Sequence, residues 1–274
     1  LFENCILRFA HRSVSAAPTK PKEIKTIVGQ KEESMTDAQV AALAAGKADG
    51  RADEPGDTPV PDRILRVAKE LIARKGPVNT TVRDICDGSG VNVASIHYYY
   101  GSKDALVKSV LLSVLEPVNI ERRMRLEEAR LRYGNGSLPI PVILESLLRP
   151  LVTCERGADG GRLFVRMEHH LRAVPDSEYT LFVAQHLDGY AQIFIDALAQ
   201  TLPRFTRSEI IWRYEFVRGS AMHLLANCDP LSRKFQVLAG AGGMIDLNDD
   251  ELVLRELLGV AVLGIGAPAV WSSE

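Results

Sequence analysis

No stretch of the 274-residue chain reaches the ~18 consecutive apolar residues that a membrane-spanning helix needs, so a helical transmembrane protein is excluded. The longest weakly charged run, residues 257–271, is broken by Gly259, Gly264, Gly266 and Pro268 and reads as a buried or interface helix. Cysteine is scarce. Cys5, Cys86, Cys154 and Cys228 show no close paired spacing, which speaks against a disulfide framework or a structural zinc site and fits a reducing cytoplasm. Catalytic signatures are missing too. The glycines of residues 239–243 follow no strand and precede no Lys-Ser/Thr, there is no Gly-x-Ser-x-Gly elbow, and no carboxylate sits in an isolated apolar setting. No catalytic residue and no cofactor is nominated.

What is present is an ordinary globular composition, 46% hydrophobic and 25% charged, over a length that suits one large domain or two unequal ones. The net charge of -2 hides an asymmetry: residues 62–108 carry eight basic and five acidic side chains, a small basic module on an acidic remainder. Residues 1–60 are rich in Ala, Gly, Pro, Lys and Glu without sustained periodicity and are expected to be disordered. Residues 1–19 only faintly imitate a targeting peptide, because Glu3, Asn4, Arg8 and His11 interrupt the apolar run. Lys31-Glu32-Glu33 ahead of Met35 suggests a translated ribosome-binding stretch, with Met35 as the natural start and residues 1–34 outside the native product.

From Pro61 the pattern is helical. Ile64, Val67, Ala68 and Leu71 recur at i, i+3, i+4 and i+7, and Gly76-Pro77 stops the run. Thr81 to Asp84 form a capping box, Gly88 or Gly90 ends that short helix, Asn92 caps a third, and Ser102 with Asp104 starts a fourth running through Leu115. Further helices are expected over 119–132, 141–152, 162–173, 177–202, 208–226 and 249–263. The fold class is therefore all-α: a three-helix unit over 61–108 joined to an antiparallel helical bundle over 109–270. The runner-up is α+β with a hairpin near 234–247.

Residues 80–103, TTVRDICDGSGVNVASIHYYYGSK, hold a helix, a glycine-containing turn and a second short helix at the spacing of a helix-turn-helix. Val82, Ile85, Val91, Ile96 and Tyr100 can fill one small core and leave the polar side of the second helix exposed. This stretch resembles the TetR family of one-component transcriptional regulators over about 47 residues. Gly90-Val91 stand where that family enters its recognition helix, and Val93, Ala94 and Ser95 occupy the end it points at base edges. Lys103 matches a phosphate-binding lysine and Arg83 a contact position. His97 departs from the usual Tyr, so the contact implied there falls to its imidazole, Tyr98 or Tyr99. Small residues also allow close approach to bases, and a lysine at a helix N-terminus favours phosphate.

The resemblance implies a homodimer on a palindromic double-stranded DNA operator, usually repressing, and released by a small apolar or amphipathic effector, a fatty acyl compound being the first choice because residues 122–152 and 161–172 loosely resemble the fatty-acid-responsive branch. Ala221, Ala226, Gly259, Ala261 and Gly264 would permit close approach of the last two helices across a two-fold axis. Aromatic walls with a few polar groups make Phe164, Met167, His170, Phe182, His186, Tyr190, Trp212 and Phe216 the candidate pocket, with Leu148 and Gln185 beside them. Glu168, His169, His170 and His186 do not read as a metal site, since adjacent histidines on a helix point about 100° apart. The alternative function is a helical ligand-binding or interaction protein that has lost DNA binding.

Overall fold

The computed structural model describes residues 58–134, 136–232, 234–240 and 246–268; the expectations for residues 1–57, including the start at Met35, lie outside them. The described residues form ten helices: α1 Val60–Lys75, α2 Val82–Ser89, α3 Val93–Tyr100, α4 Lys103–Tyr133, α5 Ile140–Val152, α6 Leu163–Ala173, α7 Glu178–Thr201, α8 Arg207–Asn227, α9 Lys234–Ala239 and α10 Asp250–Ile265. No strand occurs among them; an isolated bridge between Arg156 and Arg162 closes the loop before α6. Where a hairpin was the runner-up, residues 234–239 are α9. The all-α reading holds.

Local chemistry sets the small helices. Thr81 accepts from the Asp84 amide at 3.1 Å while the Asp84 carboxylate accepts from the Thr81 amide at 3.0 Å, the reciprocal capping box. Gly90 ends α2 in the left-handed region at φ 68°, where a side chain is disfavoured. Asn92 and Ser102 accept from the amides of Ser95 and Ala105 and so start α3 and α4. Ile64, Ala68, Ile72, Ile85 and Ile96 are buried together beneath these turns, and the Tyr100 hydroxyl donates to the Pro61 carbonyl at 2.9 Å.

One boundary differs from the sequence reading. α4 does not stop at Leu115 but runs for 31 residues through Pro117 and takes in the segment expected as a separate helix over 119–132. Proline removes one helical hydrogen bond, yet Val114, Leu115, Val118 and Leu126 are all buried, and their packing outweighs the loss. The helix is thus shared between the three-helix unit and the bundle. The remaining core comes from α5 to α8 and α10, where Ile143, Leu147, Phe164, Met167, Phe194, Leu198, Ile210 and Leu254 are buried.

Polar links fix α1 to the loop between α5 and α6. Lys69 pairs with Glu155 at 2.8 Å, Glu70 accepts from the Ala158 amide at 2.7 Å, and Arg74 lies 3.6 Å from Asp159. The same loop is tied onward: Arg166 joins Asp159 to Asp229 at the end of α8, and Arg156 and Arg162 both reach Asp250 at the start of α10, each at 2.7 Å.

Candidate nucleic-acid interface

α3 buries Ile96 and Tyr100 and turns Val93, Ala94, His97 and Tyr98 outward, two pairs at i and i+4 on one face. Val93 is 48% exposed and Tyr98 58%, too open for residues whose task is core packing. Ser95 is half-buried, its hydroxyl on the Asn92 side-chain oxygen at 3.1 Å, so it is held by the cap. Tyr99 is half-buried edge-on to Tyr98, with ring centroids 4.9 Å apart. The His97 ring nitrogen Nδ1 lies 2.9 Å from the Gly101 carbonyl, which fixes the imidazole at the helix end. Arg83 is exposed at the second residue of α2, and Lys103 opens α4 with its ammonium 3.3 Å from the Val78 carbonyl. Among the eight residues expected on this face, five are exposed and three half-buried, and all lie on α2, α3 or the start of α4.

The electrostatics are narrower than the charge count suggested. Lys69, Arg74, Lys75 and Lys108, half of the basic residues in the segment, are in ion pairs with Glu155, Asp159, Asp84 and Asp104. The Asp84 carboxyl is held well below its ordinary range, first by Lys75 and then by Thr81, so the pair is charged at neutral pH. Spacing along one helix gives the Asp104–Lys108 pair at i and i+4, but the other three join residues from different elements and could not be read from it. Arg83 and Lys103 are the cations flanking α3 in the chain.

The expected pocket residues do not converge. Phe164 and Met167 are buried in the core, while His170 turns the other way, its Nε2 3.2 Å from the Ala73 carbonyl of α1. Phe182 lies on His186 with centroids 4.3 Å apart, and Tyr190 lies near Arg123. Leu148 is buried and Gln185 exposed. Trp212 is 78% exposed, which corrects its placement inside the bundle, whereas Phe216, 71% exposed, borders a groove together with Leu148. A groove of about 630 Å³ runs between α8 and α10, lined by Phe216, Leu224, Leu257, Val260 and Ala261. A second, of about 390 Å³, lies where Ala73 and Arg74 of α1 meet Val165, His169 and His170 of α6. Ala221, expected at an interface between copies, is 1% exposed within the single chain. Among the described residues no group of three or more His, Cys, Asp or Glu could hold a metal ion, and His169 and His186 both turn Nδ1 to backbone oxygens.

Residues 64–110 match the model of the bacterial regulatory proteins of the tetR family, and residues 145–240 match that of the tetracyclin repressor-like C-terminal domain. The chain belongs to the TetR family. The TetR match at the N-terminal end spans α1 to α3 and the start of α4, the elements just described. Over 55 residues the chain is 36% identical to the HTH-type transcriptional repressor KstR2 of Mycolicibacterium smegmatis, covering 20% of this chain and 27% of that protein. Over 63 residues it is 40% identical to the HTH-type transcriptional repressor Rv3405c of Mycobacterium tuberculosis, covering 23% and 34%. The chain thus aligns with about a quarter to a third of the length of these curated relatives. In three dimensions it resembles the ketosteroid transcriptional regulator KstR2 of Mycobacterium tuberculosis, with a TM-score of 0.54 and 16% identity over 76% of this chain and 95% of that one. That likeness establishes a common TetR fold. No helix among the described residues is long and apolar enough to cross a membrane.

Proposed function

We propose that this TetR-family chain is a ligand-responsive transcriptional regulator, a repressor, that binds a palindromic DNA operator as a homodimer in the cytoplasm and is released by a small apolar or amphipathic effector. The observation that carries the reading is the outward face of α3, where Val93 and Ala94 are small and exposed at the N-terminal end and cap chemistry fixes the backbone beneath them. Such a helix end fits a major groove, its short side chains meeting base edges and thymine methyls. In this reading Val93, Ala94 and Ser95 set sequence preference, Arg83, Lys103, Tyr98, Tyr99 and His97 hold the backbone, and residues 61–108 are the reading head of a regulatory body over 109–270.

A palindrome needs two heads about one helical turn apart, ~34 to 36 Å. The exposed side of α8 and α10 supports self-association: Trp212, Phe216, Val260 and Leu263 are each more than 70% exposed, and Phe216 and Val260 line one groove. α4 and the α1 contact with His170 join head to body, so an effector that shifts the bundle would alter the spacing of the heads. A coupling of roughly 1 to 3 kcal/mol weakens operator binding about 5- to 150-fold.

The test is selection of DNA from a random pool with the purified protein, followed by titration of the selected and a scrambled duplex at one salt concentration. Enrichment of an inverted repeat bound at least a thousandfold more tightly than scrambled DNA is the expected order. Equal affinity for both would end this reading.

A further inference from the structure

Three arginines of the bundle are largely buried, and two have carboxylate partners. Arg162 reaches Asp250 at 2.7 Å, and Arg166 holds Asp159 and Asp229 at 2.9 and 2.7 Å. Arg122 on α4 is the exception. It is 5% exposed, and its partners are two neutral oxygens: Nε donates to the Leu147 carbonyl of α5 at 2.9 Å and Nη1 to the Asn119 side chain at 3.0 Å. Its guanidinium carbon lies 5.7 Å from the centre of the Phe164 ring of α6. No described carboxylate approaches within 4.0 Å of it. Of the groups that act on its charge, Tyr214, Glu168 and Cys154, Glu168 is the carboxylate, and it is already taken by Arg172 at 2.9 Å and by Arg218 at 3.8 Å.

An arginine stays protonated in proteins, and a charge out of water is costly unless paired. Burial pushes the Arg122 guanidinium toward the neutral form, and Tyr214, Glu168 and Cys154 do not fully offset it. A core that needed only a brace between α4 and α5 could use an uncharged donor. The chain retains one net positive charge between α4, α5 and α6 instead.

We infer that Arg122 is an anion anchor for the effector, which is a monoanionic amphiphile whose carboxylate pairs with the free edge of the guanidinium and whose apolar tail lies along Phe164 and Met167. This rests on the reading of the bundle as the effector-binding part. A single uncompensated charge matches a carboxylate better than a dianionic phosphate. Phe164 and Met167 stand at i and i+3 on the buried face of α6, and both must yield to admit a tail. α6 also carries His170 against α1, so the displacement is felt at the head.

The test compares decanoate, decanol and decyl phosphate by calorimetric titration against the full chain and its Arg122→Met and Arg122→Lys variants. The wild type is expected to bind decanoate roughly ten- to hundredfold more tightly than decanol, with decyl phosphate weaker than decanoate. Arg122→Met should lose the preference for acid over alcohol and, without ligand, melt no lower than wild type, since a well-packed apolar replacement of a buried charge is often neutral or stabilising. Arg122→Lys, which keeps the charge, should retain part of the preference and serves as the readout if Arg122→Met does not fold. The anchor is overturned by equal affinity of the wild type for acid and alcohol, by no binding of any of the three, by preference for the phosphate, by retention of the preference in Arg122→Met, or by a folded Arg122→Met that melts well below wild type. Operator binding by the ligand-free wild type is measured alongside, so failure of the regulator reading shows as lost DNA binding and failure of the anchor as lost acid preference.

Discussion

In α2, α3 and the start of α4, each helix is begun by a side chain three residues away: Thr81 for Asp84, Asn92 for Ser95, Ser102 for Ala105. In the bundle, the polar bonds that set the geometry join residues 63 positions apart for Arg166 and Asp229, 88 for Arg162 and Asp250, and 102 for Arg149 and Glu251. The head rests on local caps over a small apolar core, whereas the body, whose α7, α8 and α10 also start on local caps at Ser177, Thr206 and Asp249, adds a network closed only when distant helices meet. Local caps tolerate loss singly; a network member leaves its partners charged and partly buried.

The sharpest way to break that comparison is Arg166→Ala. The substitution leaves Asp229, whose side chain is 14% exposed, without its arginine and Asp159, 22% exposed, with the 3.6 Å contact to Arg74, and should cost about 3 kcal/mol in denaturant unfolding, the low end for breaking a buried pair. A cost no greater than that of deleting a cap would show that the network adds little beyond packing. Next in size is Val260→Glu, on the outer face of α10 at 74% exposure. It should convert a dimer to a monomer at micromolar concentration by light scattering with the helical content unchanged, because a charge buried without a partner disfavours association. A dimer that survives both Val260→Glu and Phe216→Glu places the interface elsewhere. Ala221 is unsuited to this test, since a charge there attacks the core of the single chain.

These choices show what was legible. Caps and the buried face of α3 follow from residues adjacent in sequence and are legible there, whereas Gly88 and Gly90 are both admissible ends for α2 in the sequence and the left-handed backbone falls at Gly90. Trp212 and Phe216 are aromatic and four apart on one helix, which marks them for burial, but the sequence cannot say whether they face the same chain, a ligand or a second copy. Arg122 escaped notice because a charged residue at mid-helix reads as surface until the packing of α5 and α6 over it is known. The continuation of α4 past Leu115 and Pro117 is hidden for the converse reason: the local cost of the proline is visible in the sequence, whereas the burial of Val114 and Val118 that offsets it is not.

Within the head, Lys103→Ala separates backbone holding from base reading. One counter-ion-releasing contact is lost, so the slope of log K against log salt should fall by about one on selected and scrambled DNA alike. Ala94→Ser should instead change which bases are preferred and leave the slope in place. If both variants act equally on all sequences, the division of roles along α3 and α4 is wrong. Smaller again is Thr81→Ala, which removes the cap of α2 and should cost about 1 kcal/mol of stability, well below the loss for Arg166→Ala.

The smallest effect is a pH dependence local to the head. Lys75, 2.9 Å from Asp84, and then the Thr81 amide and hydroxyl hold the Asp84 carboxyl below the ~3.9 of an unfolded chain. A carboxyl whose pKa is lower in the folded state adds stability above the unfolded value and loses it as pH falls toward the folded one. Asp84→Asn removes that contribution at every pH. The difference in melting temperature between wild type and Asp84→Asn should therefore be positive and level above about pH 5 and shrink steadily from there toward pH 2. Subtraction isolates this carboxyl, because Asp159 and Asp229, also held low by Arg166 against the opposing effect of burial, are common to both proteins. A difference that stays constant down to pH 2 would mean that the Asp84 pair with Lys75 is no stronger folded than unfolded, leaving the neutral capping bonds alone to start α2.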